Sequence, residues 1–170
     1  MKLLDLLSGR RVDPTAAWPV RDYDVPAVDL SRMPFGALRF GASLQEALYF
    51  GRPESFSWSR KDYCELLYAR GGFQLDFERG NLSYVAFFVG QDACLPDHPA
   101  LSFTKPRIKG GGQLTQETRK DDLQKLFGSI ESEDVDSEET ILTFLRSGVT
   151  LEFELNAEGY LKRWNLFPKR

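Results

Sequence analysis

One relation within the sequence constrains the fold more than any other: apolar strand positions recur at a constant offset of 76 residues. Leu66, Tyr68, Gly72, Phe73, Leu75 and Phe77 match Leu142, Phe144, Gly148, Val149, Leu151 and Phe153. Both sets spell a strand, a tight turn at glycine and a strictly alternating strand, Phe-Gln-Leu-Asp-Phe-Glu in one and Val-Thr-Leu-Glu-Phe-Glu in the other. Alternation with period two gives a strand one buried and one wet face. A second turn follows, at Arg79-Gly80-Asn81 and again at Asn156-Ala157-Glu158-Gly159. A third strand then runs from Leu82 to Val89, or from Leu161 to Phe167.

A short helix precedes each set. Ser43-Leu44-Gln45-Glu46 has the form of a capping box, in which Glu46 reaches back to the start of the helix. Leu44, Ala47 and Leu48 form an apolar stripe, Gly51 ends it, and Pro53 prevents its resumption. In the second copy Thr118-Arg119-Lys120-Asp121 offers the cap, Leu123, Leu126 and Phe127 the stripe, and Gly128 the stop. The expectation is an α+β fold: two tandem helix-plus-three-stranded-antiparallel-meander repeats, in a two-layer sandwich with the helices on one sheet face. A generic helix and meander met twice by chance is the competing explanation, and the constant offset argues against it. The chain then divides into an extended arm at 1–37, a first repeat at 38–89, a connector at 90–113 and a second repeat at 114–170. The two repeats form one compact domain.

The succession helix, Gly-x-Pro, aromatic strand, Gly, alternating strand, Gly turn, strand is carried by Ser43 to Pro53, Tyr68 to Phe77 and Gly80 to Phe87, with counterparts in the second half. It resembles the repeat of the β-lactamase inhibitor proteins. It is also similar to the single unit of the small outer-membrane assembly lipoproteins of the SmpA/OmlA type. The lipoprotein signal of the one and the disulfides of the other are missing. The resemblance implies a fold whose members bind other proteins through a sheet face.

Composition sets the outer bounds. In 170 residues, 42% apolar side chains and a net charge of −3 exclude disorder over most of the chain. A pI of 5.3 argues against nucleic acid as a partner. No run of about 18 apolar residues is present to cross a bilayer. In Met-Lys-Leu-Leu-Asp-Leu-Leu-Ser-Gly-Arg-Arg, Asp5 interrupts the apolar stretch and Arg10 and Arg11 close it, so it does not read as a secretory signal. The expected compartment is the cytoplasm of a bacterium, with Cys64 and Cys94 as reduced thiols.

The chemistry inventory is thin. His98 is the only histidine and sits in the turn-like Asp97-His98-Pro99. A Ser-His-Asp arrangement through it has no Gly-x-Ser-x-Gly elbow to support it. Lys109-Gly110-Gly111-Gly112 lacks the Walker A spacing, and the connector around it reads as solvated and mobile, with a phosphate nest as the alternative. The acidic run Glu131–Glu139 reads as a solvated loop, with docking to a basic partner as its rival. It lacks the order and the glycine of a calcium loop. No metal and no cofactor is expected. Pro14, Pro19, Pro26 and Pro34 suit an extended arm that either packs through Trp18, Tyr23, Val25, Val28 and Leu30 or reaches a partner.

Alternation also assigns sides. Leu66, Tyr68, Phe73, Leu75, Phe77, Val85, Phe87, Leu142, Phe144, Leu151, Phe153, Trp164 and Leu166 should face the helices. The opposite, wet face would carry Gln74, Thr150 and Asn165 together with Asp76, Glu78, Tyr84, Phe88, Glu152, Glu154, Arg163 and Phe167. Those last eight are the candidate partner-binding residues. Neighbouring carboxylates repel one another there, and cations on a partner relieve that repulsion. Aromatic residues on a wet face anchor interfaces. An ordinary sheet face whose aromatics the arm covers is the plain alternative. The favoured function is a non-catalytic inhibitor or immunity-type protein that blocks a basic partner protein. A scaffold or adaptor of a bacterial assembly is the first alternative. A carboxylate-dependent enzyme, pairing Asp76 with Glu152, is the second, and it needs a desolvated pocket that a flat wet sheet does not provide. The sequence leaves the oligomeric state open.

Overall fold

The computed structural model describes residues 12–31 and 35–169. The helix expected over 2–8 and the proline at position 34 lie outside them. Eight strands follow one another: β1 (Ser55–Arg60), β2 (Tyr63–Tyr68), β3 (Phe73–Glu78), β4 (Asn81–Phe88), β5 (Ser132–Val135), β6 (Glu139–Arg146), β7 (Val149–Asn156) and β8 (Leu161–Pro168). They form one antiparallel sheet in the order β1-β2-β3-β4-β8-β7-β6-β5. Two meanders are therefore joined at a β4–β8 seam, where Val85 faces Leu166 and Phe87 faces Trp164.

The α+β sandwich of two helix-plus-three-strand repeats is corrected by this architecture. The sheet dominates, and the helices are too short to make a layer. One is a seven-residue 3-10 helix (Leu44–Phe50) and the other is α1 (Lys120–Phe127), eight residues long. Each meander has four strands. The two that pattern reading missed, β1 and β5, are the outermost strands. An edge strand buries little, so its sequence carries weak alternation: Ser-Phe-Ser-Trp-Ser-Arg and Ser-Glu-Asp-Val. β5 occupies the acidic run that reads as a loop. The run turns back where the Asp136 carboxylate accepts the Glu138 and Glu139 amides at 2.7 and 2.9 Å.

Local chemistry explains the helix ends. The Ser43 amide donates to Glu46 Oε1 at 2.8 Å. The second cap falls one residue later than expected, with the Arg119 amide donating to Asp122 at 3.2 Å. Gly51 and Gly128 follow the helices at φ 77° and 78°, a conformation that favours glycine. The 3-10 helix has three residues per turn, so of the expected stripe it buries Ala47, together with Phe50 one turn on, and leaves Leu44 and Leu48 half-buried. In α1, Leu123 and Phe127 are buried while Leu126 is exposed.

All thirteen residues assigned to the inner face lie in one continuous core. Its aromatic spine runs across the seam: Phe127 to Phe153 at 4.9 Å, Phe153 to Trp164 at 5.6 Å and Trp164 to Phe87 at 5.2 Å between ring centroids. Phe87 meets Phe35, and Phe35 meets Phe50. Loops complete the cover that helices do not supply. Trp18, Tyr23, Val25 and Leu30 of the arm pack on this core. Val28 bridges to Phe35 and to Ile108 of the connector. The connector is thus built into the core face at Thr104, Pro106 and Ile108, all buried, rather than solvated along its length.

Candidate functional site

The face turned away from the core begins as a consequence of strand parity. Three bulges adjust it, the first in β1, where Trp58 pairs with Cys64 but Arg60 pairs with Tyr63. Asp76 pairs with Tyr84 but Phe77 pairs with Leu82, so Ser83 is an extra residue in β4. Glu154 pairs with Arg163 but Leu155 pairs with Leu161, so Lys162 is extra in β8. A bulge re-aims the residues beside it. Here Tyr84 and Arg163 follow the bulges of β4 and β8 and project from the outward face.

This face divides into a covered half and an open half. Over the covered half lies the stretch 91–103 of the connector. Its Leu95, Ala100 and Leu101 pack on Leu67, Ala69, Ala86 and Phe88. The Ser102 amide donates to Ala69 O at 2.9 Å and the Thr104 amide to Phe88 O at 2.8 Å. Gly72 makes this approach possible: a Cβ there would sit 2.3 Å from Ser102 O, and its φ of 64° also suits glycine. The charges beneath are paired with one another, although Arg163 Nε has no hydrogen-bond partner among the described residues. Arg163 donates to Asp92 at 2.7 Å and to Cys94 O at 3.1 Å, lies 3.7 Å from Glu154, and places its guanidinium 5.8 Å from the Phe88 ring centre. Lys162 reaches Glu139 at 2.5 Å and Asp92 at 3.5 Å.

The open half has different electrostatics. Tyr84 and Phe167 stack across the seam with ring centres 6.2 Å apart. With Tyr63, Glu78, Ser83, Pro168 and Lys169 they line a cleft of about 470 Å³. Asp76 backs it. Asp76 is only 4% exposed, and its oxygens accept from the Tyr63 hydroxyl at 2.6 Å and the Gln74 amide at 2.8 Å. Burial is the main cause that lifts its pKa to about 6; the two hydrogen bonds pull the other way, and nearby Glu65 adds to the rise. Burial likewise raises the Tyr84 hydroxyl, and it raises the Glu154 carboxyl despite Arg163. Among the described residues no ion pair reaches Glu65, Asp76, Glu78 or Glu152.

Of the eight residues expected to bind a partner, Asp76, Glu78, Tyr84 and Phe167 gather around this cleft. Glu152 stands between the halves, joined with Glu154 through the Asn165 amide at 3.1 and 2.6 Å. Phe88, Glu154 and Arg163 belong to the covered half. The expectation of a wet face is corrected accordingly, since Asp76, Phe88, Thr150 and Asn165 are all buried. The described part of the arm packs on the other side of the sheet, through Trp18, Tyr23, Val25 and Leu30. The objection to a desolvated carboxylate fails at Asp76. Sequence reading missed Tyr63, Ser83, Asp92 and Lys162. Tyr63 was within reach, because Leu66 and Tyr68 pointing inward put Tyr63 outward once the bulge-free β2 is extended back. Nothing in the sequence marks the bulges or the partnership of Asp92 with β8.

His98 is a loop residue whose Nδ1 accepts the Ala100 amide at 3.2 Å. Among the described residues no three His, Cys, Asp or Glu side chains gather to hold a metal, and no helix is long and apolar enough to cross a membrane.

The class defined by this fold is a single open antiparallel sheet of two meanders with loops and short helices over one face. The chain is similar in structure to YjgB, a DUF4309 family protein from Bacillus subtilis. The TM-score is 0.54 at 15% sequence identity, over 82% of this chain and 88% of that one. At such identity the likeness concerns the fold alone. No protein-family model and no curated protein matches the chain.

Proposed function

We propose that this chain is a non-catalytic protein-binding module, an inhibitor or immunity-type protein that takes a basic surface of a partner on the open half of its outward face. One observation supports the reading: among the described residues no ion pair reaches Glu78 or Glu152, which flank the stacked Tyr84 and Phe167, whereas Asp92, Glu139 and Glu154 are paired. Aromatic anchors supply affinity by desolvation, and the carboxylates steer the encounter. Unpaired Cys64 and Cys94 suit a reducing compartment, and we place the protein in the cytoplasm.

The test is surface plasmon resonance against a partner recovered from the native host. Charge reversal by Glu152→Lys is expected to lower the on-rate and weaken its salt dependence, while Tyr84→Ala raises the off-rate. Unchanged kinetics for both substitutions sink the reading. An inhibitor silences the recovered partner on binding, whereas an adaptor leaves it active. A second reading, a carboxylate enzyme using Asp76 and Glu152, is favoured by the Asp76 pKa of about 6, which lies in the range of general acids.

A further inference from the structure

The covered half of the outward face shows how this sheet satisfies an aromatic ring flanked by carboxylates: it lays an arginine on it. Arg163 rests over Phe88 at 5.8 Å and bonds Asp92, with Glu154 beside it. The open half repeats the ingredients, but among the described residues no arginine lines its cleft; Lys169 stands on the cleft wall. Tyr63, Tyr84 and Phe167 line its cleft, Glu78 stands on the wall, and Asp76 lies behind the Tyr63 hydroxyl. The Tyr63 ring already draws a guanidinium from outside the cleft, that of Arg60 at 6.0 Å. The cleft volume of about 470 Å³ accommodates a long side chain with its flanking backbone.

Resting on the protein-binding reading above, we infer that the cleft between Tyr63, Tyr84 and Phe167 is a receptor for an arginine side chain supplied by the partner. The guanidinium stacks on the aromatic faces and donates to Glu78, while its charge relieves the buried Asp76 carboxylate. Arginine fits better than lysine for a physical reason. Its planar, weakly hydrated head stacks on rings and forks onto carboxylates, whereas an ammonium holds its water more tightly. Asp76 adds long-range attraction without a direct bond. Its oxygens already accept Tyr63 and Gln74, and in a partly desolvated site its charge is poorly screened.

The experiment is an NMR titration of the full chain with three blocked pentapeptides that differ only at the central residue: arginine, lysine or citrulline. The arginine peptide is expected to shift resonances of Tyr63, Tyr84 and Phe167, with the lysine peptide binding several-fold more weakly and the neutral citrulline peptide about tenfold more weakly or not at all. Glu78→Gln, at an exposed position, is expected to keep the fold and weaken the arginine peptide several-fold. Equal binding of citrulline and arginine, or shifts that avoid the three rings, overturns the inference. The two readings fail separately. If Tyr84→Ala slows or loosens the recovered partner but replacing each partner arginine by alanine leaves its Kd unchanged, the arginine receptor is wrong and the protein-binding face stands. If the partner ignores Tyr84→Ala and Glu152→Lys alike, the face itself is wrong.

Discussion

A carboxylic acid that is 4% exposed and paired only with neutral donors holds its proton late, and Asp76 gives that statement a measurable sign. Its folded pKa of about 6 lies above the ordinary 3.8. Between those values the native state binds more protons than the unfolded chain, so this residue's stabilising contribution is present below about pH 4 and is lost as pH rises through about 6. The loss amounts to about 3 kcal/mol, from about 1.4 kcal/mol per pKa unit. Asp76→Asn is expected to remove this component and raise stability at neutral pH, measured by denaturant melts across that window. Packing residues behave differently. Phe77→Ala and Phe153→Ala, both in the core, are each expected to cost about 3–5 kcal/mol. Glu78→Ala, exposed, should stay within about 0.5 kcal/mol. Parity alone makes Glu154 its equal, but its bond from Asn165 and its place beside Arg163 separate the two. Glu154→Ala is expected to cost about 1–3 kcal/mol, and melts that rank it with Glu78→Ala would mean the pair contributes little.

At the scale of elements, the inner strands were legible in the sequence because burial on one face writes itself as alternation. The edge strands were not, because an edge buries too little to leave that mark. Helix existence was readable from Ser43, Glu46, Gly51 and Gly128, but helix type was not: the 3-10 spacing Ala47–Phe50 depends on what the arm and sheet offer to pack against. Of the candidate site, residue membership of the outward face was readable, while exposure was not. Exposure is decided by 91–103, a segment without periodicity whose position depends on a close approach at Gly72. Gly72→Ala is expected to cost more than about 1 kcal/mol, since it combines a positive φ with a Cβ 2.3 Å from Ser102 O. It should also loosen 91–103, seen as faster proteolytic cleavage there. Unchanged cleavage would mean that the bonds from Ser102 and Thr104 hold the segment by themselves.

At the scale of the molecule, the seam makes two meanders one folding unit, since the Phe87–Trp164–Phe153–Phe127 spine leaves neither half a complete core. An open sheet also ends in two rows of backbone groups that another chain can pair with. β5 is such an end, exposed at all four residues, and it presents Glu133 and Asp134 beside further acids of the run Glu131–Glu139. Two copies meeting β5 to β5 bring carboxylate against carboxylate. Glu133 is held by Lys120, so it is Asp134 and the remaining acids of the run whose repulsion opposes pairing of two copies at this edge. Replacing Asp134 by threonine, which leaves the Lys120–Glu133 ion pair in place, is expected to leave the melting transition nearly unchanged and to produce concentration-dependent growth in light scattering. In the wild-type chain the same growth should be brought on by salt, which screens these charges within a few ångströms at high ionic strength.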